Sequence, residues 1–295
     1  YLICVLALDR FEREPPHLLL FAFVWGATGA IVIALSMYGF ARGLGAPDFF
    51  LAYLSAPIFE EGAKALVVLV IYARKRTEFD GIVDGIVYAA MAGLGFATME
   101  NILYYSDAYL QGYETLHATW IVRGLFSPFA HPFFTSATGI GLGIARYARN
   151  ATARVAAPAA GFLISIWLHA AWNASAPSYF AAVYLLFMVP AFLVVLVIVL
   201  ASLVREGRVV REFLSCDVAR GALTPADLHR LGTLRGRWLS TCGAFFRGGF
   251  RSWRRRREAQ QAAADLAFLR RAAAHDPECA DAAREQEYVR KIRVG

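Results

Sequence analysis

The chain has 295 residues, 58% of them hydrophobic and only 18% charged, with a net charge of +7. A soluble domain carries about 25% charged residues, so the composition excludes an ordinary soluble enzyme. The 4 cysteines, at 4, 216, 242 and 279, form no C-x-x-C pair, which excludes the common zinc-finger spacing.

The apolar residues gather into runs that reach the length of about 20 residues needed to cross hydrocarbon. In chain order, a stump (YLICVLAL, residues 1–8) is too short to cross and opens on Tyr1 rather than Met, as though the natural beginning were missing. Six full spans follow, at 17–39, 49–73, 82–106, 118–145, 156–176 and 180–204. The expected fold is therefore all-α, a polytopic transmembrane helix bundle with a helical tail.

Loop charge sets the orientation. Arg10 and Arg13, then Arg74, Lys75 and Arg76, then Arg146, Arg149 and Arg154 fall in alternate loops, while the intervening loops hold only Arg42. Basic loops stay in the cytoplasm, and the tail lies on the same side. The tail, 205–295, has 19 Lys/Arg against 11 Asp/Glu, so the whole positive excess belongs to it. The expected domains are thus 1–204, in the membrane, and 205–295, a basic cytoplasmic tail.

Within the spans stand residues that are costly there. The run at 49–73 contains Glu60, Glu61 and Lys64. The next contains Asp84 and Glu100, the run at 118–145 Arg123 and His131, and the run at 156–176 His169, with Asn101 and Asn173 beside them. A charged side chain at a bilayer centre costs about 2.5–3.5 kcal/mol on insertion scales, and such groups normally face the bundle interior. At a rise of about 1.5 Å per residue, Glu60, Glu100, His131 and His169 all fall between the midplane and the outer face. Four helices can then place two carboxylates and two imidazoles in one layer. Glu60 and Lys64, Phe96 and Glu100, and His169 and Asn173 are each four apart, so each pair shares a helix face.

Plainer readings stand beside this one. Glu60 and Lys64 could be an inert pair, and a single His or Asn in a span often only joins helices. Arg123, near a boundary, reads as snorkelling, and Asp84 as a helix N-terminal cap. Gly81 with Gly85, Gly93 with Gly95, and Gly139, Gly141 and Gly143 read as close helix contacts. Pro57, and Pro128 with Pro132 around His131, predict kinks or unwinding beside the polar cluster.

Carboxylate and imidazole in a shielded pocket suit activation of water, by a glutamate acting as base or by a metal that Glu and His hold. Glu100, His131 and His169 offer mixed oxygen and nitrogen ligands acceptable to a divalent metal such as zinc. No H-E-x-x-H and no G-x-S-x-G occurs. A transporter or proton path, or an inactive scaffold that holds a partner span, is the alternative.

Glu60-Glu61-x-x-Lys64, Phe96-x-x-x-Glu100, His131 and His169-x-x-x-Asn173, on successive spans, resemble the motif series of the PrsW family of intramembrane proteases. That family is related to the CAAX prenyl endopeptidases and the Abi proteins. DRFEREPP before a span is also similar to PrsW-like proteins, and the resemblance covers about residues 9–200. CAAX enzymes typically carry His where this chain has Glu100, which favours PrsW.

The resemblance implies a multi-pass protein of the bacterial inner membrane that cleaves a single-span membrane protein, an anti-sigma factor being the best-known kind of substrate. It makes Glu60 the water activator. Glu61 and Lys64 would shape the pocket, or Glu61 would share the base role. Glu100 and His131 would position water or ligate a metal, and His169 and Asn173 would support the oxyanion.

In the tail, Thr224-Pro-Ala-Asp227 predicts a helix start, and a second helix is expected over about 254–274. Before it, AFFRGGFRSWRRRR mixes Phe245, Phe246, Phe250 and Trp253 with arginines, a pattern suited to anionic lipid rather than nucleic acid.

Overall fold

The computed structural model describes residues 11, 13–76, 78–175, 179–275 and 280–294. The stump at 1–8 with Cys4, Arg10, Cys279 and most of the turn expected at 177–179 lie outside the described residues. Among the described residues the regular structure is entirely helical. The chain divides into two compact units, one over residues 14–196 and one from Val197 onward that also takes in Phe11 and Arg13.

The first unit is built from α1 (Pro16–Gly43), α2 (Ala56–Arg74), α3 (Ile82–Gln111), α4 (Tyr113–Trp120), α5 (Ala130–Tyr147) and α6 (Ala151–Ser175). The start of α7 (Val189–Phe213) completes it, and that helix continues into the second unit. Among the described residues, four helical stretches are long and apolar enough to cross a membrane: Pro16–Gly43, Ile82–Gln111, Ala151–Ser175 and Ala181–Ala219. The runs expected at 49–73 and 118–145 are not among them. The first carries Glu60, Glu61 and Lys64, and the second is interrupted between a π-helical turn, Ile121–Phe126, and the start of α5.

α3 is the axis of this unit. Its apolar stretch is 78% buried, against 11–33% for the other three candidate spans. Small residues allow this: a Cβ on Gly85 would lie 2.1 Å from the carbonyl oxygen of Gly139, and one on Gly139 would lie 2.0 Å from that of Gly85. α3 and α5 therefore touch backbone to backbone, which is how apolar helices associate where lipid gives no hydrophobic drive. Farther along, a Cβ on Gly93 would fall 2.7 Å from the carbonyl oxygen of His131. The bare backbone at Gly93 thus admits the first turn of α5 and sets His131 against α3. At the start of α3, the Asp84 carboxylate accepts the N–H groups of Asp80 (2.8 Å) and Gly81 (2.6 Å), the capping role read from sequence.

The second unit contains α8 (Ser215–Ala219), α9 (Pro225–Leu231), α10 (Leu234–His275) and α11 (Ala282–Val294). Thr224 caps α9 by accepting the N–H of Asp227 at 3.1 Å, as the sequence predicts. α10 is two helical arms, not one rod, because Gly248 and Gly249 leave helical geometry and Gly249 takes φ +63°. The arms fold back on each other. Gln260 donates to the Arg237 carbonyl at 3.0 Å, and Arg237 donates to the Gln260 carbonyl at 3.0 Å. The helix expected over 254–274 is the second arm, which begins earlier. α11 had no counterpart in the sequence reading.

Candidate active site

Pro57 starts the construction. Just before it, Leu51–Ser55 is wound as a π-helix, and the Ala56 N–H reaches five residues back to the Leu51 carbonyl. The next bond in that series would run from residue 57 to the Ala52 carbonyl, but proline has no N–H to give. Asn173 Nδ2 donates to that carbonyl instead, at 3.0 Å. α6 is thereby fastened to the entry of α2, and its face bearing His169 is turned toward Glu60 and Glu61.

Glu61 is fully buried and saturated. One carboxylate oxygen accepts from Lys64 Nζ at 2.6 Å and His169 Nδ1 at 2.9 Å. The other accepts from Thr135 Oγ1 at 2.8 Å and Ser165 Oγ at 2.6 Å. Lys64 Nζ also donates to His131 Nδ1 at 2.9 Å and lies 4.3 Å from the Phe96 ring centre. An ammonium cannot accept, so His131 carries its proton on Nε2, which donates to Glu100 Oε2 at 2.9 Å. Glu100 in turn pairs with Arg123, whose Nε donates to Asn101 Oδ1 at 2.9 Å and whose guanidinium lies 3.7 Å from the Tyr104 ring centre. One chain of hydrogen bonds thus runs from Arg123 through Glu100, His131, Lys64 and Glu61 to His169.

Glu60 stands at the end of this chain and apart from it. Its Oε2 is buried without a hydrogen-bond partner, 3.7 Å from His169 Nε2 and 3.9 Å from Lys64 Nζ. Because Glu61 accepts from His169 Nδ1, the proton sits there and Nε2 presents a lone pair toward Glu60. Donor atoms of Glu60, His131 and His169 all lie within 4.8 Å of one another. Around them opens a cavity of about 650 Å³, lined also by Ser55, Glu100 and Asn173.

The sequence-derived residues Glu60, Glu61, Lys64, Glu100, His131 and His169 are thus brought together from four helices. Several places differ from those expected. Glu61 has no lone pair left to take a proton. Glu100 is engaged by Arg123, and Glu60 replaces it in the cluster that could hold a metal. Asn173 is bonded to backbone rather than aimed at a reacting group. His169 in this tautomer has no proton on Nε2 to offer an oxyanion. Arg123 is an ion-pair partner inside the bundle, not a snorkelling residue.

Thr135 and Ser165 escaped the sequence reading, although each is four residues from a site histidine and so on its face. Ser55 also escaped it. It is buried, its hydroxyl has no hydrogen-bond partner, and it lines the cavity.

Residues 14–200 match the PrsW family of intramembrane metalloproteases. The chain belongs to that family. It is 33% identical over 166 residues to Protease PrsW of Bacillus subtilis (strain 168), a match covering 56% of this chain and 72% of that one. It is 35% identical to Protease PrsW of Geobacillus kaustophilus (strain HTA426), over 56% of this chain and 69% of the relative. Identity to Protease PrsW of Clostridioides difficile (strain 630) is 28%, again over 56% and 69%. No solved structure matches the chain. The motif residues from Glu60 to Asn173 all fall inside the matched segment, so the site described above belongs to the part of the chain that makes it a PrsW protease.

The donor set suits the metal that the family's description implies. A buried carboxylate oxygen without a partner, an imidazole nitrogen with a free lone pair and a second imidazole make a mixed oxygen and nitrogen group of the kind zinc accepts. His169 also has the outer partner that a metal-binding histidine usually has, since Glu61 holds its other nitrogen. His131 is bonded at both nitrogens and would exchange one partner on binding.

Proposed function

We propose that the chain cleaves a peptide bond of a single-span membrane protein, with Glu60 as the group that activates water. The observation that carries this is the buried Glu60 Oε2, which has no hydrogen-bond partner and belongs to a residue that lines the cavity, beside a Glu61 carboxylate that is fully bonded. Leaving a buried polar atom unpaired costs about 1–3 kcal/mol, which a folded protein tolerates where the atom has work to do. Glu60 takes a proton from water as the water oxygen attacks the carbonyl carbon, and returns it to the leaving nitrogen as the C–N bond breaks. Glu61 holds His169 in one tautomer. Lys64 and Glu100 hold His131 from its two sides, and Arg123 holds Glu100. Glu60 through one carboxylate oxygen, with His131 and His169, would hold a divalent cation such as zinc, leaving the second Glu60 oxygen to take the proton; when bound, the cation would supply Lewis acidity and a more acidic water.

In this reading residues 1–204 form the protease part, with six spans once the polar run at 49–73 and the broken run at 118–145 are counted. Residues 205–295 are a cytoplasmic tail on a multi-pass protein of the bacterial inner membrane. The site then lies in the outer half of the bilayer, and the substrate is of the anti-sigma-factor kind. Mass spectrometry of the products from reconstituted single-span substrates tests this. Cleavage within the outer half of the substrate span is expected, and cuts confined to its soluble loops would sink the reading.

A further inference from the structure

The second unit displays a feature that proteolysis does not use. The α10 hairpin turns at Gly248–Gly249, and at the turn stand Phe245 (48% exposed), Phe246 (86%) and Phe250 (65%). The body of the hairpin is shut. Ala259, Ala262, Ala263, Ala264, Leu266 and Ala267 are buried, and Gln260 is bonded to both Arg237 and Ser240. The tip is therefore not a loose end whose rings will fold inward. The stacking of Phe250 on Trp253 at 5.1 Å and the position of Arg257 4.7 Å from the Trp253 ring centre fix its second side.

Charge says what covers the tip. Residues 228–257 contain nine arginines and no acidic residue. Arg247, Arg251, Arg254 and Arg255 are exposed around the aromatic rings. An apolar point within a cationic collar matches a bilayer edge, where rings enter the acyl region and guanidinium groups meet anionic headgroups. Position points the same way. The candidate span Ala181–Ala219 ends fewer than 30 residues before Phe245, so the chain tethers the tip near a bilayer at high effective concentration.

We infer that the Gly248–Gly249 tip is a membrane anchor, inserting Phe245, Phe246 and Phe250 into a leaflet rich in anionic lipid. This does not rest on the protease reading. Gly249 is essential to it, because φ +63° with ψ -160° is a backbone conformation that only glycine adopts without strain.

The test uses the full chain in nanodiscs, with the natural cysteines replaced by serine and a nitroxide attached through Phe246→Cys. A second label at Ala222, which is exposed away from the tip, serves as reference. In discs of phosphatidylcholine with phosphatidylglycerol, label 246 is expected to be reached by oxygen and shielded from a water-soluble relaxant, while label 222 shows the reverse. Phosphatidylcholine alone, or Arg247→Gln, Arg251→Gln and Arg255→Gln together, should shift the insertion equilibrium of label 246 toward water by about a hundredfold. An aqueous label 246 in the anionic discs would overturn the inference. So would a label that becomes shielded only when RNA or an acidic protein is added.

Discussion

Glu60 and Glu61 are neighbours in sequence with opposite surroundings: the carboxylate of Glu61 accepts four hydrogen bonds, and Oε2 of Glu60 accepts none. A turn of about 100° around one helix separates them. It points one into the packing of α5 and α6 and the other into the cavity. The pair therefore divides its work, one residue building the site and the other acting in it.

Stability should separate the two. Glu61→Gln removes the acceptor of the buried Lys64 ammonium, and breaking one side of a buried pair costs about 3–5 kcal/mol. Thermal unfolding in detergent should show a clear fall in the midpoint. Glu60→Gln removes a buried carboxylate whose Oε2 accepts no hydrogen bond and whose nearest ammonium, Lys64 at 3.9 Å, keeps its shorter contact with Glu61, so its midpoint should match or exceed that of the native protein. Equal losses from both substitutions would contradict the division.

Metal content is the second expectation. Elemental analysis of purified protein should find a stoichiometric transition metal, lost in His169→Ala and in Glu60→Ala but kept in Asn173→Ala, whose side chain meets backbone. Chelation should abolish cleavage and zinc should restore it. Full activity in metal-free protein would leave a carboxylate-only mechanism.

Arg123 provides the third. It is bonded to Glu100 and Asn101, and Glu100 orients His131. Arg123→Gln should therefore lower kcat more than it raises KM, and should cost about 2 kcal/mol of stability, the scale of a charge-assisted hydrogen bond. Lysine there restores the charge without the planar fork, so rescue should be partial. Unchanged kinetics for Arg123→Gln would return Arg123 to the snorkelling role.

The tail has its own structural centre. Arg270 joins α8 to α11 by pairing with Asp217 and with Glu285, the latter at 2.8 Å. Burial works against its charge, but the hydrogen bonds it donates to both carboxylates outweigh this and hold its pKa above the ordinary value. Arg270→Met should loosen α11, seen as faster hydrogen exchange over 282–294, without changing proteolysis. Unaltered exchange would show that the pairing contributes nothing.

Much of the site was legible because polar residues in apolar runs are costly and therefore conspicuous. Glu60, Glu100, His131 and His169 stood out on that ground alone, and the fourfold spacing placed Lys64 and Asn173 beside them. Gly85, Gly93 and Gly139 were legible as close contacts because a helix that must touch another backbone has few alternatives. Other features left weaker marks. Thr135 and Ser165 are small and common in spans, so only their register with the histidines betrays them. Arg123 sits near a hydropathy boundary, which reads the same whether its side chain reaches outward or inward. The π-turn that brings it to Glu100 is a matter of backbone winding that hydropathy does not encode. The fold of α10 rests on two adjacent glycines within a strongly helical composition, and the return of one arm on the other depends on contacts such as Arg237 with Gln260, 23 residues apart.

The most direct test of the central claim is cleavage by Glu60→Gln in proteoliposomes, with capture of the uncut single-span substrate scored in the same sample. A general base contributes about 10²–10⁴-fold in rate. The expected result is a loss of cleavage on that scale with substrate capture intact and the protein fully folded. Cleavage at the native rate by Glu60→Gln would contradict the account.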